Sequence, residues 1–134
     1  MSDEKNRIEW ALLFLRLSVF LVMFVWTVDK FIDPGHASKV YEHFYFLGGF
    51  GPSLIIMIGI AEAFLILAFV AGIAKKWTYG AVTVLHAVST LSAWKMYTVT
   101  VNLLFFAAWP MLAACVALYL LRDLDNKFTL AQPD

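Results

Sequence analysis

Arg16, Glu62 and His86 each lie inside a long apolar run, where an ionisable side chain is out of place. Such a group in hydrocarbon costs roughly 2.5–3.5 kcal/mol even on a lenient insertion scale, so it must face a partner or a cavity. Counting ~1.5 Å per residue from the inner face puts Arg16 about 9 Å, His86 about 12 Å and Glu62 about 18 Å deep. At those depths long side chains can bring Arg16 and Glu62 together, with His86 adjoining. Two kinds of chemistry suit such a group. One is a polar pocket in a bundle core that holds a small polar molecule or a quinone headgroup, or that relays protons. The other is an interhelical ion pair that fixes helix register, a contact worth about 0.6–2 kcal/mol between membrane helices. Depth says nothing about rotation around each helix axis, so both readings stand.

A second polar group gathers at the opposite, outer end: Asp29, Lys30, Asp33, His36, Glu42, His43 and Lys95. Imidazole and carboxylate together suit Zn, Cu or Fe. His36 and His43 are about two helical turns apart, which fits one helix face but is not a recognised ligand spacing. This cluster therefore reads as a solvated loop with interfacial histidines and no metal. Asp29 and Lys30 are adjacent and able to snorkel to the headgroups. Cys115 is the single cysteine and stands in an apolar run, so no internal disulfide or CxxC redox pair exists and a buried filler is expected.

The elements that must position these groups follow from composition. Of 134 residues, 62% are hydrophobic and 15% charged, and the mean hydropathy is +0.77. Soluble domains are nearer half apolar and one quarter charged, and a core this small could not hide the excess from water. Lipid is the solvent that fits. Ten basic and ten acidic residues give no net charge and no basic patch, so nucleic acid is not an expected partner.

Four apolar runs, 10–31, 54–74, 77–97 and 103–121, are each about 20 residues and long enough to span a ~30 Å hydrocarbon core as helices. Trp10, Phe31, Trp77, Tyr79, Trp94, Tyr97 and Tyr119 fall at their ends, where amphipathic rings favour the headgroup level. The first run is too long for a signal-peptide core and reads as a retained span. The expected fold is an all-α transmembrane four-helix bundle forming one domain over 1–134. Lys75-Lys76 marks a tight turn between the second and third spans. In the longer first loop, Val40, Tyr41, Phe44 and Tyr45 sit at helical spacing against Lys39, Glu42 and His43. That pattern predicts a short amphipathic helix lying in the interface or capping the bundle. Pro110 is expected to kink the fourth span.

The short loops carry Lys5, Arg7, Lys75, Lys76, Arg122 and Lys127 on one side, against Lys30, Lys39 and Lys95 on the other. The positive-inside rule then places both termini in the cytoplasm and the chain, multi-pass, in the inner (cytoplasmic) membrane.

The segment LFLRLSVFLVMFVWTVDKFIDP resembles the first helix of the DoxX-like membrane proteins, with an early arginine and a lysine at the outer end. GIAEAFLILAFVAGIAKKWTYGAVTVLHAVSTL is similar to their second and third helices, and Arg16, Lys30 and Glu62 match the family's polar positions. Phe24-Val25-Trp26 stands where the family has a small residue, a departure in the pocket region. The resemblance runs from about Trp10 to Arg122 and implies a four-helix membrane bundle. Its superfamily includes the small subunit of an archaeal thiosulfate:quinone oxidoreductase.

What this implies is an accessory subunit of a quinone-linked membrane redox system, with no intrinsic cofactor, with quinone as the candidate ligand, and with other membrane subunits or further copies of itself as partners. The residues alone add that the chain lacks a haem-ligating histidine pair, a cysteine cluster and a nucleotide motif, so it would not move electrons unaided. A small transporter or channel component using Arg16 and Glu62 is a second expectation, and a structural or assembly subunit with no chemistry of its own a third.

Overall fold

The computed structural model describes residues 3–45, 48–49 and 51–130. It is helical, with no strand among the described residues. The helices are α1 (Asp3–Ile32), α2 (Pro34–Tyr45), α3 (Pro52–Val70), α4 (Lys75–Ser92), α5 (Lys95–Thr98) and α6 (Ala108–Leu120). A 3-10 turn at Phe105–Ala107 leads into α6, and another at Arg122–Leu124 follows it.

The four long helices form a closed ring in chain order: α1 packs on α3, α3 on α4, α4 on α6, and α6 back on α1. Each presents one stripe inward. On α1 Leu12, Arg16, Val19, Met23, Thr27 and Lys30 are buried in steps of three and four that keep one face of a helix in line, with Leu13 buried beside them. On α3 they are Ile55, Gly59, Ile66 and Phe69, with half-buried Glu62 in the same register. On α4 Tyr79, Val82, His86 and Thr90 repeat the pattern. The apolar centre joins Leu12, Val19, Met23, Ile66, Phe69, Tyr79, Val82, Cys115 and Leu118, so all four helices contribute. Gly59 lets α3 close on α1, since a methyl there would stand 3.1 Å from the Phe31 ring.

Two helices, α1 and α3, are long and apolar enough to cross a membrane. The other two expected spans differ from their sequence reading. The third breaks at Ser92 and resumes as α5, and the fourth is regular only over the 13 residues of α6, about 20 Å. Pro110 explains the second difference. It does not kink an established helix but sits in the first turn of α6, where its missing N–H deprives the helix of no bond.

The amphipathic stretch of the first loop is α2, which packs across the ends of α1, α3 and α4 and caps the ring. Its Ala37 is buried and Val40, Tyr41 and Phe44 half-buried, while Lys39, Glu42 and His43 face out. The side chain of Tyr45 lies outside the described residues.

At the other end α3 stops at Val70 because the backbone turns left-handed at Gly72, with φ +72°. The Gly72 amide donates to the Phe69 carbonyl and the Ile73 amide to the Ala68 carbonyl, the paired bonds of a Schellman ending. The chain after α6 then returns to this turn: the Leu130 amide donates to the Ala71 carbonyl at 2.8 Å, and Thr129 lies against Gly72.

Candidate functional site

The inward stripes carry three polar groups, at different levels of the ring. At the end holding the α3–α4 turn, α1 delivers Arg16, 1% exposed, and the segment after α6 delivers Asp125, 0% exposed. Arg16 Nη1 donates to Asp125 Oδ1 at 2.5 Å, and Nη2 donates to the carbonyls of Lys127 and Phe128 at 2.7 and 3.3 Å. The other carboxylate oxygen of Asp125 accepts from the Tyr79 hydroxyl on α4. Lys75, at the start of α4, donates to the carbonyls of Asp125 and Arg122 and to Asn126 Oδ1. Two buried cations, a phenol and one carboxylate thus tie α1, α4 and the C-terminal segment together. A charge this deep is tolerable only when paired and hydrogen-bonded, and here the partners come from across the ring.

Towards the α2 end, Glu62 on α3 meets Lys30 and Thr27 on α1. The ion pair measures 3.2 Å, and Thr27 Oγ1 donates to Glu62 Oε1 at 2.7 Å. Lys30 is buried and turned inward, not snorkelling outward as the sequence reading had it, and its ammonium also lies 5.9 Å from the Tyr41 ring of α2.

His86 belongs to neither group. Its Nε2 donates to the Ala108 carbonyl at 3.0 Å, its ring stacks on Trp26, and Nδ1 is buried without a hydrogen-bond partner. The three residues expected to share a core pocket are therefore divided among three sets of partners: Arg16 with Asp125, Glu62 with Lys30, and His86 with Trp26 and Ala108.

The outer cluster also separates. Asp29 and His36 form a surface pair at 2.7 Å, and the His36 amide donates to Asp33 Oδ1. His43 stands edge-on to the Phe44 ring, and with Lys39, Glu42, Phe44, Ser92, Trp94, Lys95 and Met96 it lines a half-open cleft of about 510 Å³. Among the described residues no three His, Cys, Asp or Glu side chains converge as a metal site would need.

Tyr79, expected among the interfacial aromatics, is a core residue, whereas Trp10, Phe31, Trp77 and Trp94 are exposed. Cys115 is buried in the apolar centre, and its carbonyl accepts from Thr83 at 3.1 Å. The residues that the sequence reading missed are Asp125, Lys75, Tyr79 and Thr27. One signal pointed to the first: an arginine about 9 Å from the inner face reaches that face more easily than the membrane centre, and Asp125 follows the last span directly.

Chemically, the Arg16–Asp125 and Lys30–Glu62 groups are closed on themselves, while the cleft beneath α2 is open. No family model, curated protein or solved structure matches the chain.

Proposed function

We propose that the chain is a four-pass inner-membrane protein of DoxX-like type that serves as a non-catalytic accessory subunit of a quinone-linked redox system. The observation that carries the membrane part is an inverted distribution of polarity. Arg16, Lys75, Asp125 and Lys30 are buried, while Phe14 is 61%, Phe64 73% and Leu120 69% exposed. The exposed apolar side chains continue around the ring through Leu21 and Phe24 on α1, Met57 and Leu67 on α3, and Val84 and Val88 on α4. A patch of that extent is untenable in water and ordinary in lipid. The shorter helices α4 and α6 complete their passes with α5 and the 3-10 turn before α6, and local thinning of the bilayer accommodates them.

Arg16, Glu62 and His86 do not fit a quinone headgroup. Arg16 keeps only Nε unengaged, Glu62 is taken up by Lys30 and Thr27, and His86 offers one buried acceptor against Trp26. No quinone chemistry is therefore assigned to these residues. In this reading the redox centre belongs to a partner, and the chain contributes a rigid membrane frame. The resemblance of its first three spans to DoxX-like helices supports the redox context.

A second reading, a structural or assembly subunit outside any redox system, is favoured by the same closed ion pairs, which fix helix register without leaving a reactive group. Purification of the tagged full chain in mild detergent separates the two. Co-purification of a subunit carrying flavin, haem or iron–sulfur absorbance is expected. A chain that purifies without any redox partner, and in which Glu62→Gln alters only thermal stability, would favour the structural reading. Proton-coupled uptake by liposomes holding the chain alone would overturn both in favour of transport.

A further inference from the structure

The cleft beneath α2 differs from the two buried ion-paired groups because, among the described residues, its lysines have no carboxylate partner. Arg16 and Lys30 each have a carboxylate within ion-pair distance, and Lys75 is held by the carbonyls of the C-terminal segment. Lys39 on α2 and Lys95 on α5 have no carboxylate partner within 4.0 Å among the described residues, yet both face the same cavity. Lys95 rests its ammonium 5.6 Å from the Trp94 ring, a placement that orients the charge without neutralising it. The volume, about 510 Å³, lies within the range of small-ligand sites.

We propose that this cleft binds a phosphate group carried on an amphiphile, the headgroup of an acidic phospholipid. Lys39 and Lys95 approach the phosphate from two elements. Glu42, the lining carboxylate, would accept a hydrogen bond from a hydroxyl of the rest of the headgroup. Two lysines against one glutamate leave a single positive charge, which balances the single negative charge of a phosphodiester better than it balances inorganic phosphate. Phe44 and Trp94 supply an apolar wall, and exposed Leu91 and Val88 continue from the cleft along α4, giving acyl chains an exit into the bilayer. The assignment rests on the membrane reading and is independent of the redox one.

The test is native mass spectrometry of the full chain in non-ionic detergent, incubated with equal amounts of phosphatidylglycerol and phosphatidylcholine. Preferential retention of phosphatidylglycerol is expected. The Lys39→Gln/Lys95→Gln double variant should lower that retention about thirtyfold, since each surface lysine contributes about 1 kcal/mol towards an acidic headgroup. Lys39→Arg/Lys95→Arg should preserve it. Both lysines are exposed, so unchanged helical circular dichroism is expected for all variants.

Lys76→Gln, at the opposite end of α4, is the control for annular lipid. An equal loss with that variant, or equal retention of the two lipids by the parent chain, overturns the proposal. Displacement of the lipid by low millimolar inorganic phosphate would keep the phosphate chemistry and assign it to the free anion. Failure of the chain to require detergent at all would instead overturn the membrane reading on which the proposal stands.

Discussion

Removing the Asp125 charge strands the Arg16 guanidinium in the ring with only the Lys127 and Phe128 carbonyls for company. Breaking one side of a buried ion pair costs about 3–5 kcal/mol, because the surviving charge loses its counter-ion and cannot regain water. Asp125→Asn is therefore expected to lower the thermal midpoint of the detergent-solubilised chain by roughly 10 °C or more, at a few degrees per kcal/mol. Arg16→Met should cost a similar amount. The Arg16→Met/Asp125→Leu double variant should fall well short of the sum, since it removes both charges and leaves apolar groups to pack. A loss under about 1 kcal/mol for either single variant would place the pair among solvent-screened contacts and remove its role as the lock of this end. The Lys30–Glu62 pair is partly exposed, so Glu62→Gln is expected to cost less, and Gln can still accept from Thr27.

The elements meet most tightly at the α3–α4 turn. Gly72 is left-handed there, and a methyl on it would stand 2.5 Å from the Thr129 side chain. Gly72→Ala carries two penalties: about 1 kcal/mol for an L-residue in that conformation, and about 1–3 kcal/mol for overpacking against the returning segment. Proteolysis of the chain after Arg122 should then become faster, because the segment loses its seat. Gly72→Ala/Thr129→Gly should recover the packing part but not the conformational part. Equal proteolysis of the parent and Gly72→Ala would show that the segment does not depend on this turn.

The same elements show what could be read beforehand. That the chain is helical, that a tight turn joins the second and third spans and that α2 is amphipathic all follow from periodicity and turn chemistry, although the turn itself falls at 71–74 and Lys75-Lys76 open α4. The inward faces do not follow from hydropathy, because apart from Glu62 and Ser53 the residues of α3 are apolar or glycine on every side. The polar residues mark the faces instead: Glu62 lies on the inward register of α3, and on α1 Arg16, Thr27 and Lys30 share one stripe with Leu12, Val19 and Met23. Their pairing was hidden for a different reason. Depth along a helix leaves Arg16 and Glu62 within reach of each other only through long side chains, and a long cationic stem can as easily reach for the nearer interface. Arg16 therefore turns towards Asp125, and Lys30 turns inward from the other end to meet Glu62. The break at Ser92 and the short α6 lay beyond a hydropathy count, which registers apolar residues and not the backbone that carries them.

At the scale of the whole molecule the two buried pairs alter the charge argument for orientation. Arg16 is neutralised by Asp125 and Lys30 by Glu62. The cations left near the two ends are Lys5, Arg7, Lys75, Lys76, Arg122 and Lys127 at the terminal end, against Lys39 and Lys95 at the α2 end. The asymmetry is sharper than when Lys30 counts as a loop charge, and under the proposed membrane reading the positive-inside rule would place the terminal end in the cytoplasm. If Lys39 and Lys95 also hold a lipid phosphate, the α2 end is close to neutral and its translocation easier still. Glu42 and Asp123 are exposed at opposite ends of the ring and report its orientation directly. In a Cys115→Ala background, Glu42→Cys should react with a membrane-impermeant maleimide in intact cells. Asp123→Cys should react only after permeabilisation. The reverse pattern would invert the proposed topology without changing its number of passes. Labelling of both from the same side would leave an even number of crossings between them, contrary to a ring in which α3, α4 and α6 lie between the two residues and alternate in direction.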